Sequence, residues 1–270
     1  MSQTEQVLPR SAFQVQCDVI FALYVRELKT RFGEFQIGSV WALAEPVVHT
    51  AIMIAVHSAR GSLRGMNFPV GVDIPIFYIN AVVPFFLFRS TIMLVMRSIS
   101  SNRGLYFYRQ VKPIDSIISR TLLEVSIYTV VFCILLLAGY LVGYNVQMYD
   151  PLGFIAIYAI WVLFMFGLGI IICVTSTFFK EIETFVPLTL LPLYLISAVL
   201  FPMTSVPQEY WYLLTWNPIL HIEELLRTSF FQNYNTPVGS VSYVLAFAVG
   251  FLGFGLALYR ATVTRLVSSQ

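Results

Sequence analysis

The chain reads as an all-α, polytopic membrane protein. Six transmembrane helices, an N-terminal helix lying in the membrane interface and two re-entrant half-helices on the outer side are expected. Three observations predict this. Hydrophobic residues make up 58% of the chain and charged residues only 11%, whereas soluble domains average about 25% charged. The mean hydropathy is +0.78. The apolar residues gather into runs that approach the about 20 helical residues needed to cross a hydrocarbon core of roughly 30 Å. One domain is expected over 1–270: a tail and interfacial helix in 1–38, a six-span core in 39–259 and a tail in 260–270.

The first ten residues are polar, so neither regular structure nor a signal peptide is expected there. From Phe13, the spacing of Phe13, Cys17, Ile20, Tyr24 and Leu28 predicts an amphipathic helix. Gln14, Asp18 and Lys29 lie off that stripe, and the charges after Val25 keep the segment from spanning. Gly33 and Gly38 then allow the chain to turn into the membrane. The six spans are read as Ser39–His57, Ile74–Met96, Ile117–Val142, Leu152–Cys173, Phe185–Phe201 and Val241–Tyr259, the fifth being short.

The cations orient them. With both termini cytoplasmic, the inside holds Arg10, Arg26, Lys29, Arg31, Arg97, Arg103, Arg109, Lys112, Lys180, Arg260 and Arg265, and the outside only Arg60, Arg64 and Arg227. The stretch Gly104–Glu124 between spans two and three is then cytoplasmic. Pro113 breaks a helix arriving from the N-terminal side, and Asp115 or Ser116 can cap a new one. Tyr106, Phe107 and Tyr108 beside Arg109 and Lys112 make either a solvated loop with interfacial ring anchors or a docking element for a soluble partner.

Between spans five and six, Met203–Ser240 is too rich in aromatics and leucine for a solvated loop. Gln208–Thr215 and Ile219–Phe231 each read as helical and too short to span. They either dip into the outer leaflet and return, which surrounding protein permits, or lie flat as a lid.

Several chemistries find no support. No Gly-Lys pair occurs, so there is no phosphate loop. The run His221-Ile-Glu-Glu224 lacks the second histidine of a zinc-protease motif, and no metal site is expected. Glu223 and Arg227 are read instead as an i,i+4 pair. A membrane-embedded glycosyl- or phosphotransferase would need clustered Asp, Glu and His, and none is visible. Cys17, Cys133 and Cys173 have neither metal nor redox spacing and read as free thiols. Glu45 and His49 lie one turn apart on span one, where ionisable groups usually face a partner or a water-filled path. They line a conduit or subunit interface, or form a structural pair. Arg89 raises the same question, and Arg120 with Glu124 reads as structural. Gly139 and Gly143 form a possible helix-packing face.

Four motifs carry a family resemblance: Arg26-Glu-Leu-Lys-Thr-Arg-Phe-Gly33, Trp41-Ala-Leu-Ala-Glu-Pro46, Tyr108-Arg-Gln-Val-Lys-Pro-Ile-Asp115 and Trp216-Asn-Pro-Ile-Leu-His-Ile-Glu-Glu-Leu-Leu-Arg227. Over about Val15 to Tyr259 the chain resembles the inner-membrane permease of group 2 capsular polysaccharide export, within the ABC-2 (type V) exporters. The resemblance implies a bacterial inner-membrane homodimer with two copies of a separate ATPase subunit, which binds the ATP and Mg. No cofactor of the chain itself and no nucleic acid are implied. It further implies a periplasmic co-polymerase and an outer-membrane export channel as partners, and a lipid-linked, often anionic polysaccharide as cargo. A drug- or small-lipid exporter of the same fold is the rival reading.

On that footing Arg26, Lys29 and Arg31 are expected to bind the substrate headgroup, or else merely to anchor the helix. Trp41, Glu45, His49, Arg89, Tyr194 and Phe201 are expected to line the conduit. Trp211, Tyr212, Trp216, His221, Glu223 and Arg227 are assigned to a periplasmic gate. Tyr108, Arg109, Lys112, Pro113 and Asp115 are assigned to ATPase coupling.

Overall fold

The computed structural model describes residues 11–32, 37–59 and 71–268, and among them it is all helix and turn, without a strand. Residues 1–10, Gly33, Arg60 and Arg64, which enter the sequence reading, lie outside the described residues. The helices are α1 (Ala12–Phe32), α2 (Ile37–Ala59), α3 (Ile74–Met96), α4 (Ser98–Ser101), α5 (Pro113–Val142), α6 (Pro151–Phe178), α7 (Ile182–Ile196), α8 (Pro218–Phe230) and α9 (Val241–Ser268). Short 3₁₀ turns occupy Arg103–Leu105, Met203–Ser205 and Gln208–Leu213.

Among the described residues four helices, α3, α5, α6 and α9, are long and apolar enough to cross a membrane. The expected first and fifth spans correspond to shorter apolar helices, Ala44–Val56 within α2 and the whole of α7. The core is built around α3. It is apolar on every side, and from Ile76 to Phe88 every residue is buried, as befits a helix with no polar face. Helices α2, α5, α6, α7 and α8 pack around it, with α9 outside against α6 and α1 against α5.

Local chemistry sets the boundaries. Helices α5, α6 and α8 each begin on a proline, whose missing N–H costs nothing at the first helical position. Asp150 and Asn217 cap α6 and α8 by accepting from the backbone N–H groups of Gly153 (2.9 Å) and Ile219 (3.0 Å). Gly143 closes α5 in the left-handed conformation, φ +102°. It is therefore a helix stop and not a packing glycine; its expected companion Gly139 does face a neighbour, Ile76. The glycines that bring helices together are Gly167 and Gly255. A Cβ on Gly167 would sit 2.5 Å from the backbone nitrogen of Leu252, and one on Gly255 2.9 Å from the carbonyl of Gly167, so α6 and α9 touch backbone to backbone.

The fifth expected span runs to Phe201, but α7 stops at Ile196. Ala198 adopts φ +56°, which breaks the helix. The carbonyls released at this end are taken by Arg227, whose Nη2 donates to Ala198 (2.7 Å) and Val199 (3.2 Å). Prolines 187 and 192 within α7 weaken it further.

Successive spans reverse direction. One end of the bundle gathers Arg97 with Glu183 and Ser98 with Ser116. The other gathers Asp73 with Asn145 and Tyr149 with Phe230.

Candidate functional site

Six positions were assigned to a conduit, and the structure brings four of them together. Glu45 and His49 on α2, Arg89 on α3 and Tyr194 on α7 line one cavity of about 250 Å³, walled by Phe85, Phe86, Pro187, Leu190 and Leu191. The four-residue spacing on α2 puts Glu45 and His49 on one face. Arg89 Nη1 donates to Glu45 Oε1 at 2.5 Å, and its guanidinium lies 5.4 Å from the Phe86 ring centre. His49 Nε2 and the Tyr194 hydroxyl are 2.6 Å apart. The rings of His49 and Tyr194 meet edge-on at 5.4 Å.

This pairing is the expected response of ionisable groups within a span, because an unpaired charge there is costly. The pair is not sealed: the side chains of Arg89 and Glu45 remain 43% and 34% exposed. Around the cavity, Val47, Val48 and Ile52 on α2 and Leu188, Leu191 and Leu195 on α7 are exposed. A charged pair thus sits in the middle of an open apolar face. Phe201 is not part of it; it packs with Ala198, Met203 and Leu220. The Trp41 side chain lies outside the described residues.

A second, larger hollow of about 560 Å³ lies where α1, α3 and α5 meet, at the end of the bundle that holds the 97–112 segment. Its walls carry cross-helix ion pairs. Arg31 of α1 pairs with the buried Glu124 of α5, and Arg120 of α5 pairs with Glu27 of α1 at 3.1 Å. The sequence reading joined Arg120 to Glu124; the structure gives each a partner on α1 instead, because α1 lies along α5 and turns Glu27 and Arg31 toward it. Arg26 donates to Asn102 and, at 3.0 Å, to Glu27. Of the three cations assigned to a headgroup, Lys29 is exposed and makes no ion pair among the described residues. The packing face of α1 also differs from the expected stripe: Phe13 and Cys17 are exposed, and Leu23 is the buried residue.

In the segment between α4 and α5, the helix starts before the expected cap at Asp115 or Ser116: Lys112 stands at the N-cap and Pro113 is the first helical residue, where its missing N–H costs nothing. Asp115 accepts from the backbone N–H of Lys112 at 2.9 Å and, through its other oxygen, from Gln16 of α1 at 2.7 Å. Phe107 is 79% exposed, and Tyr108, Arg109 and Lys112 are exposed beside it. Tyr106 departs from its reading as an interfacial ring. It is buried, its hydroxyl 2.8 Å from Ser116 Oγ, and burial pushes the phenol up to about 12. The segment is a chain of turns.

At the opposite end, α8 is almost wholly buried. Arg227 Nη1 donates to Glu224 at 2.9 Å, and its guanidinium lies 3.9 Å from the Phe77 ring centre. Tyr234 donates to the same Glu224 oxygen at 2.8 Å. The expected Glu223–Arg227 pair is thus replaced by Glu224–Arg227, since Arg227 is turned toward the end of α7. Glu223 is fully buried, and neither oxygen has a hydrogen-bond partner among the described residues. Burial holds its carboxyl well above the usual range, opposed by nearby Arg227. His221 contacts the Thr215 carbonyl at 2.8 Å. Trp216 is 58% exposed and Tyr212 is exposed, whereas Trp211 is half-buried and donates to Val206. Among the described residues no group of His, Cys, Asp and Glu could hold a metal.

Sequence reasoning missed Glu27, Asn102 and Glu183 as partners. They are ordinary charged or polar residues near helix ends, and only the packing of distant helices selects them.

Residues 18–231 match the ABC-2 type transporter family. The polysialic acid transport protein KpsM of Escherichia coli is 36% identical over 97% of this chain and 100% of its own length. The capsule polysaccharide export inner-membrane protein CtrC of Neisseria meningitidis is 26% identical over 90% of this chain and 91% of its own. The capsule polysaccharide export inner-membrane protein BexB of Haemophilus influenzae is 25% identical over 96% and 97%.

Proposed function

The chain belongs to the ABC-2 type transporter family, and from that premise we propose that it is the permease subunit of an ATP-driven exporter of capsular polysaccharide across the inner membrane. ATP hydrolysis belongs to a separate ATPase subunit; the chain has no phosphate loop of its own. The carrying observation is the cavity of Glu45, His49, Arg89 and Tyr194 in an otherwise apolar α2–α7 face. A lipid-facing surface has no use for an ion pair. A face shared by two copies does, because a two-fold axis doubles the polar groups along one path.

In this reading two chains pair through α2 and α7, with both termini in the cytoplasm. The Tyr108–Asp115 segment rests on the ATPase. The lipid-linked glycan approaches past Arg26, Lys29 and Arg31. Of these, Arg31 and Arg26 already hold Glu124 and Asn102, so an anionic headgroup meets Lys29 first. In the path, Glu45 and Arg89 can exchange their mutual bond for sugar hydroxyls or carboxylates, and Phe86 and Tyr194 offer ring faces. Trp216 and Tyr212 meet the polymer at the outer mouth, where α8 is re-entrant. A periplasmic co-polymerase and an outer-membrane channel continue the route.

The test is complementation of a strain lacking the permease, measuring surface polymer, internal polymer and complex assembly. Glu45→Gln with Arg89→Gln should leave the complex assembled and shift polymer from surface to cytoplasm. Normal surface polymer from this variant overturns the conduit assignment. Accumulation of a different lipid-linked glycan overturns the cargo.

A further inference from the structure

A second pair of cavities lies on the other side of α3. An apolar groove of about 250 Å³ runs between α3, α5 and α6, among Val83, Pro84, Phe132, Cys133, Phe154 and Ile155, and exposes no polar surface. Where it reaches Met148 it meets a polar hollow of about 240 Å³, lined by Asp73, Asn145, Gln147, Tyr149, Gln232 and Asn233. Met148 belongs to both walls. The groove opens on lipid-facing surface: Val130, Ile134 and Leu137 of α5 and Leu152 of α6 are exposed beside it. The side-chain amides of Gln147, Gln232 and Asn233 are exposed and have no hydrogen-bond partner among the described residues. Among the described residues no Lys, Arg or His lines either cavity, and Asp73 is the one charged group.

An apolar slot joined end to end with a polar pocket has the shape of an amphiphile. We propose that this seam binds one phospholipid with a zwitterionic, amine-bearing headgroup, its acyl chain in the groove and its headgroup among the amides. Amide N–H groups donate to phosphate and ester oxygens, and the Asp73 carboxylate receives the amine. An anionic headgroup would meet Asp73 with no cation among the described lining residues to offset the repulsion. The site also touches the proposed path. Val83, Pro84 and Leu87 face the groove, while Phe85, Phe86 and Arg89 of the same two turns face the central cavity. The bound chain therefore packs against the back of the conduit wall. Assignment to the outer leaflet rests on the orientation proposed above; the binding itself does not.

The test uses the intact chain with Cys17→Ser, so that Cys133 is the accessible thiol; Cys173 is buried. Native mass spectrometry after detergent exchange counts bound lipid with phosphatidylethanolamine or phosphatidylglycerol as probe. One phosphatidylethanolamine per chain should survive. Cys133→Trp, which fills the groove, should weaken retention by about tenfold, the effect of displacing roughly two buried methylenes. Asp73→Asn keeps an acceptor for the Asn145 N–H at 2.9 Å but should erase the preference for phosphatidylethanolamine. Should Cys133→Trp fail to fold, maleimide labelling of Cys133 in the Cys17→Ser protein replaces it; added phosphatidylethanolamine should slow it. Equal retention of both lipids, a labelling rate indifferent to lipid, or cross-linking of Cys133 to a partner's helix in native membranes overturns the proposal. Export enters none of these measurements, so failure of the cargo assignment would be seen separately.

Discussion

Arg31 of α1 and Glu124 of α5, 93 residues apart, form an ion pair in which the carboxylate is fully buried. The second oxygen of Glu124 has no hydrogen-bond partner among the described residues, and Arg31 is its one ion-pair partner among them. Removing one member of a buried pair leaves the other uncompensated, whereas replacing both by apolar groups is often neutral. Arg31→Met is therefore expected to destabilise the protein by about 3 kcal/mol, read as a fall in the thermal midpoint of the purified chain. Arg31→Met with Glu124→Leu should recover most of the loss. If the double variant is no better than the single one, Arg31 contributes something other than charge compensation.

Glu223 gives a pH signature. Its folded pKa is raised above the unfolded value of about 4.3. Between those two values the unfolded chain has released its proton and the folded chain still holds it. Stability from this group is accordingly full below the unfolded pKa and falls as pH rises toward the folded one. Melting of the wild-type protein should shift downward from pH 5 to pH 7, and Glu223→Gln should flatten that part of the curve. A pH dependence unchanged in Glu223→Gln would mean that the carboxyl reaches water or a cation in the working protein.

These two acids also show where the sequence was readable. Run lengths sufficed for α3, α5, α6 and α9, because about 20 apolar residues have few other uses. The break at Pro113 was readable, but α5 starts at that residue and not after a cap at Asp115 or Ser116, and α8, expected from Ile219, starts one residue earlier at Pro218. The cost of ionisable groups in a span singled out Glu45, His49 and Arg89; Tyr194 was assigned with the aromatic fifth span, as was Phe201, which packs elsewhere. The pairings were not readable. On α8, Glu223 and Glu224 are both within reach of Arg227, and the choice is made by the carbonyls of Ala198 and Val199, which turn the guanidinium to one side. For Gly167 and Gly255, contact depends on how α6 meets α9, which neither helix encodes alone. The shortness of α7 rests on the conformation of Ala198, a residue with no turn propensity of its own.

Pairing of two copies through α2 and α7 makes a geometric prediction. Single cysteines placed along the exposed positions Val47, Val48 and Ile52 of α2, or Leu188, Leu191 and Leu195 of α7, face the partner in an isologous interface. At least one α2 position should cross-link to its own counterpart near the two-fold axis. Controls at Leu152 and Ile155 of α6, exposed on another face, should not. Cross-links confined to the α6 positions in membranes containing the active complex would move the interface and, with it, the conduit.

The segment from Tyr106 to Pro113 separates anchoring from docking, residue by residue. Tyr106 is held from below by Ser116 at 2.8 Å, and Asp115 of α5 accepts from the Lys112 backbone N–H and from the Gln16 side chain of α1. Phe107, Tyr108, Arg109 and Lys112 project outward. An outer surface that only solvates a loop would tolerate charge reversal, since exposed charges contribute at most about 1 kcal/mol to stability. A surface that receives an ATPase would not, because reversal puts like charges against the partner. Arg109→Glu with Lys112→Glu should thus melt like the wild type, yet lose stimulation of the ATPase and export of polymer. Tyr106→Phe should show the converse. It removes the hydroxyl contact to Ser116, lowers stability by about 1 kcal/mol, and leaves the outward face able to bind. If the charge-reversed protein exports normally, the exposed rings and cations are interfacial anchors alone, and the force from ATP closure arrives through another part of the chain.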